Sequence, residues 1–155
     1  MPRSTPRQQL DSFIDKFTPD VASQAREAVE KMLARLPGAS MLVYDNYNAL
    51  AIGFAPGERT SDAIFSLAVF PRWVTLCFLK NGPALPDPAR LLKGSGTTVR
   101  HIRLDKPVML DDPAVKTLMK EALRMADPAI DKAQPSRLMI KSVSAKQRPR
   151  RPAAK

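Results

Sequence analysis

The sequence predicts an α+β domain, a two-layer antiparallel sheet backed by N- and C-terminal helices. Three features support this. Apolar residues recur at helical spacing near both ends, as in Val21, Ala25, Ala28, Val29, Met32 and Leu36. Between those ends the period shortens to that of strands, with β-branched and aromatic residues in short apolar segments. The turns between these segments are too short for helix crossovers, so the strands pair as antiparallel hairpins.

The elements follow in chain order. A first helix over roughly 7–17 buries Leu10, Ile14 and Phe17. Thr18-Pro19-Asp20 starts a second, with a hydroxyl at the N-cap and proline at the first helical position, and Pro37-Gly38 ends it. Segments 41–44, 49–54, 63–70 and 73–79 read as strands, punctuated by Asn-Tyr-Asn, Pro-Gly-Glu-Arg and Phe-Pro-Arg. Segment 73–79 is apolar on both faces, the pattern of a central strand covered by helices. Asp87-Pro88 opens a short turn of helix through Leu92, and 97–104 is the last good strand. Asp112-Pro113 repeats the cap-plus-proline signal before Val115, Leu118, Met119, Ala122, Met125 and Ala126, the apolar face of a closing helix. Beyond Asp127 the pattern weakens. Segment 137–143 either adds a short strand or docks on the body, and the Pro/Arg/Lys-rich end is expected to be disordered. The expected division is a domain over 7–126 and a largely disordered basic tail over 127–155.

Composition bounds the function. A chain of 155 residues with 44% hydrophobic and 26% charged residues fits one globular domain with a real core. A single cysteine, Cys77, excludes an internal disulfide framework and points to a reducing compartment. The start MPRSTPRQQLDSF has no apolar core of a secretory signal, and no apolar run is long enough to span a bilayer, so the expected location is the cytoplasm. The net charge of +10 is unevenly spread: from Lys141 onward six basic residues meet no acidic one, whereas the 19 basic residues before them face 15 acidic ones. The strongly basic character therefore belongs to the tail.

Several strings resemble the YdhG-like domain family: LARLPGA, NALAIGFAPG, CFLKNGPALPDPARLLKGSGTTVRHIRLDKP and the closing helix. The resemblance covers roughly 10–125. It is most specific over 80–107, where NG, LPDP, KGSG and VRHIRLD stand in the family's order, and RLMIKSVSAKQRPRR resembles the tail of a subset of such proteins. It implies an antiparallel sheet backed by terminal helices, similar to the frataxin arrangement, and carries over no catalytic residues. Frataxin-like iron handling relies on a ridge of exposed carboxylates. Here Asp11, Asp15, Asp20, Glu27 and Glu30 are interleaved with Lys16, Arg26, Lys31 and Arg35, a departure that argues against strong cation binding.

The stretch KGSGTTVRHIRLDKP over 93–107 concentrates the candidate chemistry. Its glycine pair can turn backbone N–H groups toward an anion, with Lys93, Arg100 and Arg103 adding charge. It lacks the spacing of a phosphate-binding loop and feeds a strand instead of a helix. Alternation puts Ile102 and Leu104 on one face and His101 and Arg103 on the other. Two readings stay open: an anion or small-ligand site built from Lys93, Gly94, Ser95, Gly96, Arg100, His101 and Arg103, or a tight turn entering a half-exposed strand.

Other constellations are weaker. Cys77 lies in the apolar run WVTLCFL, where a buried thiol is the ordinary expectation, and His101 is the only histidine that could serve it as a base. Neither a zinc ligand set nor a Gly-x-Ser-x-Gly hydrolase motif occurs, and no cofactor or resident metal is expected. Asp111 and Asp112 read as helix caps, and Lys116, Lys120 and Arg124 as a solvated stripe. Lys141, Lys146, Arg148, Arg150 and Arg151 are candidate nucleic-acid contacts, with Tyr44, Tyr47 and Trp73 available to stack bases. All six tail charges on duplex DNA would give log K a slope of roughly −5 against log salt. The leading expectation is a non-catalytic binding protein holding a small anionic ligand or a protein partner on the open sheet face. Carboxylate-based iron binding and nucleic-acid association through the tail are the alternatives.

Overall fold

In the computed structural model, which describes residues 4–152, each helix begins at a cap-plus-proline signal. The helices are α1 (Pro6–Ile14), α2 (Pro19–Arg35) and α3 (Pro113–Arg124). Thr5 caps α1 reciprocally: its hydroxyl accepts from the Gln8 amide at 3.1 Å, and the Gln8 side chain accepts from Thr5 N–H at 2.9 Å. Thr18 caps α2 through Val21 N–H, and the Asp112 carboxylate caps α3 through Ala114 N–H at 2.9 Å. The first helix stops at Ile14, short of the expected Phe17, because Thr18 precedes a proline and must be extended, with ψ at 155. Phe17 nevertheless remains fully buried.

The strands are β1 (Ser40–Asp45), β2 (Leu50–Ala55), β3 (Phe65–Val69), β4 (Val74–Phe78), β5 (Arg100–Leu104) and β6 (Leu138–Val143). They form one sheet in the order β5-β4-β3-β2-β1-β6. The first five form an antiparallel meander, as the short turns predicted, and β6 joins the far edge parallel to β1. Alternation along the strands sorts the two faces. Met41, Val43, Leu50, Ile52, Phe54, Leu67, Val69, Leu76, Ile102 and Leu104 share one core with the apolar stripes of α1, α2 and α3. Segment 73–79 was expected to be a central strand covered by helices; β4 lies within the sheet, and all three helices join the core on one side of it. Thr75 and Cys77 therefore face the other, helix-free side.

Two local expectations are corrected. Residues 88–92 form no helix, only a turn at 88–89: Arg90 sits at φ 55, which a right-handed helix cannot propagate, and the Asp87 carboxylate accepts from Leu91 and Leu92 N–H, each at 2.9 Å. The last strand of the meander begins at Arg100, because the Thr98 carbonyl is taken by Gly82 N–H at 2.8 Å. A Cβ at Gly82 would stand 2.7 Å from both that carbonyl and Arg100 Cγ, so the close approach requires glycine.

The tail expected to be largely disordered over 127–155 is folded onto the body over 127–152, and of the two expectations for 137–143 the added strand is the one that forms, as β6. Met41 N–H donates to the Arg137 carbonyl at 2.7 Å, leading into the β1–β6 ladder. Leu138 and Ile140 pack against the main core, and Met139 reaches Leu42 on the opposite face. Upstream, the Gln134 amide donates to the Gly38 and Pro56 carbonyls at 2.8 and 2.6 Å. Downstream, Ser144 N–H reaches the Asp45 carbonyl and Arg148 N–H the Tyr47 carbonyl, at 2.9 and 2.8 Å. Composition suggested an unfolded polycation. The open edge of β1 and a buried carboxylate supply partners that composition does not reveal.

Candidate functional site

Strand register assembles the open face in rows. His101 pairs with Cys77, Cys77 with Ser66, and Ser66 with Gly53. A second row runs Arg103, Thr75, Ala68, Ala51. Residues directly opposite in an antiparallel pair point to the same face, so each row lies side by side on the helix-free surface. The middle of that surface is made of small side chains, which leave it shallow, and toward β1 a second apolar cluster of Leu42, Ala55 and Ala63 covers it and buries Gly53.

The cations collect at the β5 margin. Lys93 forms a bridge with His101: Lys93 N–H donates to the His101 carbonyl at 2.8 Å and receives the reverse bond at 3.0 Å. That pairing brings Lys93 onto the same face as His101. Arg103 lays its guanidinium over the Trp73 ring at 4.5 Å, a cation–π stack that also holds the ring in place. Its nearest carboxylate is Asp105 at 3.9 Å, with both side chains mostly in water, so the guanidinium charge is barely offset.

The predicted site residues therefore divide. Lys93, His101 and Arg103 come together on the open face. Gly94, at φ 111, lies against the imidazole: a Cβ there would stand 3.5 Å from His101 Nδ1. Ser95 and Gly96 are exposed in the loop. Arg100 belongs to the other parity, and its guanidinium donates to the Gly96 and Val99 carbonyls, so it braces the loop and does not join the cluster.

Cys77 lies directly across from His101, a proximity that only the register reveals. Burial pushes its thiol pKa up, with a hydrogen bond from Ser66 opposing in part. A thiol held protonated is the reverse of an activated nucleophile.

Among the carboxylates, only Asp112 is a cap. Asp111, expected to share that role, instead receives Lys31 and Arg35, whose hydrogen bonds and charge hold its pKa below the usual value, the Lys31 bond foremost. Asp15 is taken up by Arg26. Among the described residues no group of three or more His, Cys, Asp or Glu gathers in a metal-binding arrangement.

The tail cations divide as well. Arg150 is 5% exposed, bonded to Asp45 Oδ1 at 2.8 Å, and out of reach of any phosphate. Lys141 donates to the Glu58 carbonyl at 3.0 Å, and Arg151 to the Lys16 carbonyl at 3.1 Å. Lys146 and Arg148 are exposed, and their side chains make no hydrogen bond or ion pair among the described residues.

One feature escaped the reading of the residues. A cleft of about 1040 Å³ opens where the β1–β2 and β3–β4 turns meet the segment after β6. Asn46, Tyr47, Asn48, Phe70, Trp73 and Arg148 are among its lining residues. The signal was present: in a meander, alternate turns fall at the same end, so Asn-Tyr-Asn and Phe-Pro-Arg-Trp had to be neighbours. No helix among the described residues is long and apolar enough to cross a membrane. No protein-family model, curated protein or solved structure matches this chain.

Proposed function

We propose that this protein is a non-catalytic binding module that takes an anionic partner on the open face of its sheet. The observation that carries the reading is the grouping of Lys93, His101 and Arg103 at one margin of a face floored by Ala51, Ser66 and Ala68. Three basic side chains with little carboxylate nearby favour phosphate or carboxylate groups. The shallow floor favours an extended partner over an enclosed small molecule, because little of a small ligand's surface would be buried there. A protonated thiol beside the imidazole speaks for binding over nucleophilic chemistry. A free Cys77 fits a reducing compartment such as the cytoplasm. Kinship with the YdhG-like family, frataxin-like in arrangement, belongs to the same proposal and is supported by the KGSG and VRHIRLD strings.

Thermal shift and fluorescence anisotropy with phosphorylated peptides, acidic peptides and inorganic phosphate test the reading. Arg103→Ala and Lys93→Ala are each expected to weaken binding about tenfold, the equivalent of ~1.4 kcal/mol. No binding by any of these anions, or equal binding by wild type and both variants, removes the open face as the site.

A further inference from the structure

We infer that the cleft at the turn end of the sheet binds a nucleoside phosphate unit, as a free nucleotide or as one residue of a single-stranded nucleic acid. Its walls have the chemistry that such a unit requires. Phe70 and Trp73 stand 5.6 Å apart between ring centroids, tilted by 35°, and Tyr47 is the third ring lining the cleft. Tyr47 is 52% exposed, which leaves a large aromatic surface to be covered by a planar ligand. Aromatic faces take any base, because every base has a π-face.

The polar lining suits the rest of the unit. Asn46 and Asn48 bring amides with both donors and acceptors, the complement of a base edge. Arg148 also lines the cleft, and its guanidinium makes no ion pair among the described residues, so it remains available to a phosphate. No lining residue is acidic. The nearby Asp45 carboxylate is buried and already engaged by Lys16 and Arg150. At about 1040 Å³ the cleft has room for a base, a sugar and a phosphate.

This goes beyond the open-face proposal, since Lys93, His101 and Arg103 are not among the lining residues. The two surfaces meet at Trp73, which lines the cleft while Arg103 stacks on it. A strand of nucleic acid crossing that ring would meet Arg148 on one side and Arg103 on the other.

Trp73 is the only tryptophan, so its emission reports the cleft directly. The full chain is titrated with adenosine monophosphate, an oligothymidylate, an oligoadenylate and inorganic phosphate. Saturable quenching by the mononucleotide supports a free nucleotide as the natural source. Saturable quenching by the oligonucleotides alone supports single-stranded nucleic acid. Tyr47→Ala and Arg148→Ala are each expected to weaken the quenching ligand about tenfold, whereas Lys116→Ala, at an exposed lysine of α3 outside both surfaces, leaves it unaffected. Tyr47 and Arg148 are exposed, and the backbone bond between them survives either substitution, so unfolding does not cloud the result; the far-ultraviolet circular dichroism of both variants checks it. Absence of saturable quenching by any nucleotide, or affinity unchanged in both cleft variants, overturns the inference, whatever becomes of the open face.

Discussion

Asp45 is the residue on which the two ends of the chain converge. Its carboxylate is fully buried at the end of β1, with Lys16 Nζ at 2.7 Å and Arg150 Nη2 at 2.8 Å. Burial alone would raise its pKa, but hydrogen bonds from Lys16, Gln147 and Arg150 outweigh burial and hold it below the ordinary aspartate value. Arg150 is almost equally buried and also lies over the Phe17 ring at 5.7 Å. Removing one partner of a buried pair strands the other charge, so Arg150→Ala is expected to cost roughly 3 kcal/mol in urea unfolding near neutral pH. The pH dependence has a definite sign. A carboxyl with a depressed folded pKa stabilises above its unfolded pKa and loses that contribution as pH falls through the folded value. The gap between wild type and Arg150→Ala should therefore hold steady above the ordinary aspartate range and close as pH falls through and below it. A gap that widens in acid would contradict the pairing. None of this was legible in the residues alone, because Arg150 sits in a stretch whose composition reads as disordered. By contrast, the sidedness of His101 and Arg103 was legible, since alternation along a strand is a local property. Their neighbours Cys77 and Trp73 were not, because register is set by the whole sheet.

The helices were the most readable elements, for a physical reason. A hydroxyl or carboxylate before proline satisfies orphan amides locally, so the start of a helix is written within a few residues. β6 is the opposite case. It borrows its hydrogen bonds from β1, almost a hundred residues earlier, and its own apolar content is modest. What secures it begins at Gly38, whose φ of 86 ends α2 and turns the chain toward β1. The Asp131 carbonyl lies 2.0 Å from where a Cβ would be, so the tail closes over this glycine. Gly38→Ala is expected to cost more than about 1 kcal/mol, through the left-handed strain and the displaced carbonyl together. Hydrogen exchange should show the loss of protection concentrated over 131–143, with α2 little affected. Uniform loss across the chain would mean that the tail is not held at this point. Removing the basic end by truncation would be a poor test of nucleic-acid binding, because it takes away Arg150 and strands Asp45. Point substitutions at exposed cations separate binding from folding.

The distribution of charge over the whole molecule decides how it should respond to salt. A tail of six independent cations on duplex DNA would give the slope near −5. Folding takes Arg150 out of that count, and bonds to backbone carbonyls occupy Lys141 and Arg151, while Lys155 lies outside the described residues. Lys146 and Arg148 remain from the tail, and Lys93 and Arg103 join them from the sheet face. Arg103 lies on β5, the Lys93 backbone is bridged to His101 and that of Arg148 is bonded to Tyr47, so the phosphates these cations contact are set by the fold. If a single strand crosses Trp73 and meets all four, each contact contributes about −0.7, and log K should fall against log salt with a slope of roughly −3. Arg148→Ala and Lys93→Ala should each make the slope shallower by about 0.7, and the pair together by about twice that. Anisotropy titrations of an oligothymidylate over a series of salt concentrations measure it. A slope of about −4 that Arg148→Ala makes shallower and Lys93→Ala leaves unchanged would mean that the basic end acts as an unfolded polycation after all. A slope of about −1, unchanged by Lys93→Ala, would confine binding to the cleft and leave the sheet face to another partner.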